Sequence, residues 1–161
     1  MKKPQNPDPL DAAALKVAVV DLLSRREHSR WELQQKLLSR AASADDLHRV
    51  LDELAERGWQ SDQRYVGSYI RTKTLRNIGP VRLFQELRQK GVAESLIREG
   101  LQESEVDWFE MARDAALKKA NGLNLSEQKD KAKLYRFLAY RGFNTDQVQY
   151  ALDECRNRDN D

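Results

Sequence analysis

Arg64, Arg71, Lys73, Arg76 and Arg82 follow one another along the chain with no acidic residue between them. Arg88 and Lys90 extend the run, offset by Glu86 alone. Guanidinium forks pair bidentately with phosphates or with carboxylates, and ammonium groups pair with either as point charges. Arg64 and Arg71 are seven residues apart, so on a helix they share a face, with Tyr65, Val66, Tyr69 and Ile70 forming an apolar stripe beside them. An acid-free stretch of this length is unusual in a chain that holds 26 acidic residues. The plain alternative is a solvated helix face, and salt dependence separates it from phosphate binding. The candidate binding residues are therefore Arg64, Arg71, Lys73, Arg76, Arg82 and Arg88.

No other constellation carries chemistry. His28 and His48 lie 20 residues apart, without a Cys or His companion at metal-ligand spacing. Both read as surface or boundary residues. Cys155, the one cysteine, has no histidine near it in sequence to activate it. It also excludes an internal disulfide framework and fits a reducing compartment. The chain has no Gly-rich phosphate loop of the P-loop type and no dinucleotide fingerprint. The reading is a non-enzymatic protein without metal or cofactor. Trp31, Trp59 and Trp108 fall near helix starts or unit junctions, where an amphipathic ring seals one module against the next. Tyr135, Phe137 and Tyr140 share one helix, where packing is favoured over stacking on exposed bases.

The elements that must position the cations are helices. From about residue 12 apolar residues recur at three- and four-residue spacing, with no sustained alternation that would suggest a strand. One pattern occurs three times, at spacings of 50 and 51 residues: Leu33, Leu37 and Ala41; Leu83, Leu87 and Gly91; Leu134, Leu138 and Gly142. Leu47 and Leu51, Ile97 and Leu101, and Val148 and Leu152 continue it without a gap. Such a period marks a tandem array of one supersecondary unit. These residues are the apolar face each helix must bury. Arrays of this kind offer extended surfaces to extended partners more often than closed pockets.

Ser29 with Glu32 fits a capping box, and Ser43 with Asp46 caps similarly. Pro80 suits a first helical position, Asn144 with Gln147 opens the last helix, and Gly58, Gly91, Gly122 and Gly142 sit where helices end. Each unit thus resolves into three helices, near 12–27, 30–40 and 44–57, then 62–76, 80–90 and 94–103, then 106–121, 127–141 and 145–157. The expected architecture is all-α: three tandem three-helix, helix-turn-helix-like repeats over 12–60, 61–104 and 105–157, forming an elongated curved array. Residues 1–11, with three prolines in the first ten, read as a flexible N-terminal tail, and 158–161 as a C-terminal one.

Composition bounds the rest. With 40% hydrophobic and 34% charged residues among 161, the surface is large and ionic for the mass, while the net charge is only +2. Residues 1–60 balance ten bases against ten acids, 61–103 carry eight against five, and 104–161 ten against eleven. The middle unit is the basic one. No apolar run reaches the ~18 residues of a membrane helix, and no secretory signal is visible. A soluble, cytoplasmic monomer is expected.

Residues 22–33 (LLSRREHSRWEL), 51–65 (LDELAERGWQSDQRY) and 78–92 (IGPVRLFQELRQKGV) resemble the first repeat, the junction and the second repeat of the RecX family. The resemblance spans roughly residues 12–156, and its middle segment is the most specific part. It implies a small bacterial regulator of the RecA recombinase, acting in DNA repair, homologous recombination and the SOS response. Such proteins bind the RecA filament on single-stranded DNA, lie along its groove and limit filament extension, strand exchange and ATP hydrolysis. The partners implied are the RecA filament and DNA phosphates directly, with no membrane. Ala41 stands where the family usually has glycine, so that helix should stop differently from its two counterparts. A rival reading is a helix-turn-helix DNA-binding regulator. Against it, the third helices of the first two units carry Asp45, Asp46, Asp52 and Glu53, and Glu94, Glu99 and Glu103, which suit phosphates poorly.

Overall fold

The repeat residues end where their spacing sends them. Leu33, Leu37, Leu83, Leu87, Leu134 and Leu138 are buried, as are Leu47, Leu51, Ile97, Val148 and Leu152, and Leu101 is half-buried. The structure, a computed structural model, describes residues 8–159. Among them are nine α-helices and no β-strand: α1 (Ala12–Arg25), α2 (Arg30–Leu37), α3 (Ala44–Glu56), α4 (Asp62–Thr74), α5 (Pro80–Gln89), α6 (Glu94–Glu103), α7 (Trp108–Ala120), α8 (Gln128–Arg141) and α9 (Thr145–Asp159). They form three successive groups of three. The described chain divides into two compact units, one reaching Tyr65 and including Lys90–Val92, the other comprising Val66–Gln89 and the chain from Ala93 onward.

In the first unit, Leu15 and Val19 of α1, Leu33 and Leu37 of α2, and Leu47, Val50, Leu51 and Leu54 of α3 make one apolar core. Ser29 and Glu32 form the capping box, and Ser43 accepts from the Asp46 N–H. The ends of α2 and α8 differ as their residues require. Gly142 takes φ 100° and closes α8 in the left-handed region. Ala41 would be strained there, so α2 tightens into a short 3-10 turn over Leu38–Arg40 and Ala41 leaves extended, at φ −75° and ψ 137°. That extended segment is paired. Leu10 donates its N–H to the Arg40 carbonyl at 2.7 Å and accepts from the Ala42 N–H at 2.9 Å.

Of the N-terminal tail expected over residues 1–11, the described part is held in place: Leu10 is bonded and Asp11 caps α1. Residues 1–7 lie outside the described residues, as do 160–161 of the expected C-terminal tail, and α9 continues to Asp159.

In the second unit, Ala112, Ala115 and Ala116 of α7 pack on Ala151, Leu152 and Cys155 of α9, with Leu134 and Leu138 of α8 and Phe143 completing the core. Small side chains on facing helices permit a close approach. Asn144 and Gln147 cap α9 reciprocally: each backbone N–H donates to the other's side-chain oxygen, at 2.9 and 2.8 Å. The link between α4 and α5 is pinned to the turn between α8 and α9. Gly79 donates to the Arg141 carbonyl at 2.7 Å and Val81 to that of Gly142 at 2.9 Å. A Cβ on Gly79 would meet the Gly142 carbonyl carbon at 2.5 Å, so only glycine permits this backbone contact.

Candidate interaction surface

The six cations picked out from the sequence have different environments. Arg64 lies in the first turn of α4, where Ser61 accepts from its N–H. Its guanidinium donates to the Gly58 and Trp59 carbonyls and to Glu27 at 3.0 Å. It ties the α3–α4 turn to the end of α1 and is held within the first unit. Arg82, in α5, bonds Glu86 one turn on at 3.0 Å and lies over the Tyr140 ring, 5.3 Å from its centroid. Arg88 pairs with Glu94 at 3.1 Å.

Among the described residues Arg71, Lys73 and Arg76 pair with no carboxylate. Arg71 and Lys73 occupy the last turn of α4, where cations complement the helix dipole. The Arg71 guanidinium lies back along the helix over Gly67, where a Cβ would sit 3.2 Å from Nη1. Lys73 lies over the Tyr69 ring at 5.3 Å. Arg76 follows in the link, its carbonyl accepting from Arg141 Nη1 at 2.8 Å while its own side chain is exposed. Among the described residues none of the three has a carboxylate within ion-pair distance. Leu75, between them, is 87% exposed, and Asn77 takes φ 56° to turn the chain back toward α5.

Glu86 feels the Lys73 charge but is already engaged elsewhere. Burial pushes its carboxyl up, but the Tyr69 hydroxyl (2.6 Å) and the Arg82 guanidinium outweigh that, with help from the Lys73 charge. Its pKa lies below the ordinary carboxylate value, so it is an anion bonded inward.

The first unit holds a polar cluster that spacing did not reveal. His28 was expected at the surface or a boundary, yet it is 2% exposed. Its Nδ1 lies 2.9 Å from the Arg26 carbonyl and its Nε2 3.2 Å from the Lys36 ammonium. Donation from Nδ1–H leaves Nε2 to accept from lysine, so the ring is neutral. Burial holds its pKa down, and the Arg26 and Lys36 charges add to that against the raising effect of the Arg26 carbonyl. Beside it Glu32 is buried, bonded by Arg26 through both oxygens and by the Ser29 N–H. These contacts overcome the cost of burial and keep its carboxyl low. Lys90 lies 3.9 Å away and its carbonyl accepts from the Ser29 hydroxyl. A buried histidine beside a cap is legible only once Lys36 and Gln60, which donates to the His28 carbonyl, are placed around it.

Nothing here resembles a reaction centre. Cys155 is buried, which pushes its thiol up and away from the thiolate a nucleophile needs. Among the described residues no group of three His, Cys, Asp or Glu side chains could hold a metal ion. No described helix is long and apolar enough to cross a membrane.

Three family models match in order: the first three-helix domain of RecX over residues 16–54, the second over 61–101 and the third over 105–152. The chain belongs to the RecX family. Among curated RecX proteins, the regulatory protein RecX of Vibrio vulnificus (strain CMCP6) is 40% identical over 139 residues, 86% of this chain and 91% of its own. That of Pseudomonas putida (strain GB-1) is 43% identical over 135 residues, 84% and 86% of the two chains. The crystal structure of RecX from Lactobacillus salivarius shares the fold at a TM-score of 0.78 and 23% identity, covering 89% of this chain and 95% of that one. RecX proteins are regulators rather than enzymes.

Proposed function

We propose that this chain regulates the RecA recombinase by binding the RecA filament on single-stranded DNA and limiting its extension, strand exchange and ATP hydrolysis. Membership of the RecX family through all three of its three-helix domains carries the reading. The cytoplasmic setting and the link to DNA repair and the SOS response follow from that role. Arg71, Lys73 and Arg76 supply its contacts, because a cation without an internal carboxylate breaks no ion pair on meeting an acidic side chain or a phosphate. Arg82 and Arg88 would have to exchange Glu86 and Glu94 to do the same, and Arg64 would have to leave the α3–α4 turn.

The test is ATP hydrolysis by RecA on single-stranded DNA with the chain added. Inhibition at stoichiometric levels is expected, and no effect there overturns the reading. The triple reversal Arg71→Glu, Lys73→Glu, Arg76→Glu should weaken filament binding by at least about tenfold, or ~1.4 kcal/mol, without unfolding the chain. A triple variant that binds and inhibits normally removes these residues from the surface.

A further inference from the structure

The second compact unit carries a further cationic face, on α8. The third three-helix unit has more acids than bases, yet α8 alone carries Lys129, Lys131, Lys133, Arg136 and Arg141 against Asp130. Asp130 is turned to the backbone N–H of Asn124 at 2.9 Å. At about 100° per residue, Lys129, Lys133, Arg136 and Tyr140 fall within about 60° of one another on the helix. They lie away from Leu134 and Leu138, which fill the core. All four are exposed. Among the described residues, Lys129, Lys133 and Arg136 have no carboxylate within ion-pair distance.

Solvation alone explains lysines and an arginine on such a face. It does not explain the ring at the end of the row. Tyr140 is 76% exposed and its hydroxyl bonds nothing among the described residues, so it adds little to the core in which packing was expected to place it. The Arg82 guanidinium lies over it, oriented by its own bond to Glu86. Arg82 in turn sits against Gly142, where any Cβ would strike its side chain. The ring is therefore backed by a positioned cation. A row of cations ending in an exposed, cation-backed ring matches the chemistry of a single strand: phosphates along the row, an unstacked base on the ring. A duplex hides its base faces, and an acidic peptide has none.

We propose that α8 presents a surface for single-stranded nucleic acid, with Lys129, Lys133 and Arg136 holding successive phosphates and Tyr140, backed by Arg82, stacking a base. At ~1.5 Å per residue the row is about 16 Å long, room for only a few nucleotides. This surface needs no recombinase and none of Arg71, Lys73 and Arg76.

The test is the fluorescence anisotropy of labelled oligothymidylate, and in a parallel arm oligouridylate, with the full chain and no RecA present. The wild type should bind with a salt dependence typical of phosphate contacts. Lys129→Glu, Lys133→Glu, Arg136→Glu together should weaken binding by at least about tenfold, and the neutral triple Lys129→Gln, Lys133→Gln, Arg136→Gln should flatten the log–log salt slope by roughly 2, at ~0.7 per phosphate. Tyr140→Ala should weaken binding about fivefold or more, as loss of a stacked base does, while Tyr140→Phe keeps it. The variant Arg71→Glu, Lys73→Glu, Arg76→Glu should still bind the strand. Circular dichroism and thermal melting check that each variant folds, and the neutral triple decides if the reversed one does not. The proposal is overturned if the wild type fails to bind at low salt, or if the α8 triples bind like the wild type. It is also overturned if Tyr140→Ala is silent while polyglutamate competes as well as unlabelled strand, since that outcome assigns the face to an acidic protein. Because RecA is absent, failure here leaves the filament reading standing, and failure of the ATPase test leaves this one.

Discussion

Arg26, Arg30 and Arg64 in the first unit all face carboxylates: Glu32 at 2.9 Å, Asp52 at 2.7 Å and Glu27 at 3.0 Å. In the second unit Arg71 and Arg76, and likewise Lys129, Lys133 and Arg136, face none among the described residues. The residue types are the same and the consequences are opposite. An arginine bonded within its own unit fixes the path of the chain, and releasing it for a partner loses that bond. An unpaired one contributes little to stability and is available to a foreign anion. Cations of the first kind should therefore be read out in melting experiments, and those of the second in binding.

The comparison is broken most directly at Glu32. Removing it leaves the buried Ser29 N–H without its side-chain acceptor and takes both carboxylate bonds from Arg26, which keeps only the Glu27 carbonyl. Breaking a buried pair costs several kcal/mol, and because Arg26 is half exposed, Glu32→Ala should cost about 2–4 kcal/mol in denaturant unfolding. A loss under ~1 kcal/mol would show that the first-unit cations are no more structural than surface pairs.

On the other side the test is Gly142→Ala. It places a side chain at φ 100° and drives a Cβ into Arg82. The backbone strain alone is worth about 1–3 kcal/mol. Because Gly142 sets the position of Arg82 over Tyr140, the variant should also weaken single-strand binding, whereas Glu32→Ala should not. Equal effects of both variants on binding would erase the distinction between the two regions.

The fold was largely legible and the fates of the charges were not. Leu33, Leu83 and Leu134 announce their burial because a helix has one apolar stripe and must cover it. Ser29–Glu32 and Asn144–Gln147 announce their caps because these bonds span only three residues. Arg64 and Arg71 share a helix and a face by spacing. What separates them is the path of the α3–α4 turn, whose Gly58 and Trp59 carbonyls Arg64 reaches, and Glu27, 37 residues away from Arg64 in sequence. Tyr140 reads as a packing residue because it lies one turn on from Phe137 along α8, and periodicity does not say which side of α8 has a neighbour. The α8 row does not show in the net charge of residues 104–161, because the acids that balance it lie mostly on other elements.

His28 sharpens the comparison through pH. The unfolded imidazole titrates near its ordinary 6.5, whereas burial and the neighbouring Lys36 and Arg26 charges hold the folded one lower. The unfolded chain takes up the proton first, so stability that is present above about pH 6.5 is lost as pH falls through the folded value. In His28→Gln the part of the melting-temperature decline that begins just below that pH should be absent, with the carboxylate-driven decline at lower pH unchanged. Identical pH profiles for the two proteins would mean that the buried ring does not titrate against folding.

The smallest expected effect falls on Arg64, the residue that sequence and structure assign differently. By spacing it heads the basic run, and by contact it belongs to the first-unit group, donating to Gly58, Trp59 and Glu27. Its side chain is about half exposed, so solvent screens the ion pair, and Arg64→Ala should cost no more than about 1 kcal/mol. Filament binding should stay within about twofold of the wild type, because the anion-facing cations lie beyond it in α4 and the link. If Arg64→Ala instead leaves the melting temperature untouched and weakens filament binding as strongly as loss of Arg71 does, the internal bonds are no guide to which cations serve a partner. The contrast between the two regions would then have to be redrawn by position along α4 rather than by pairing.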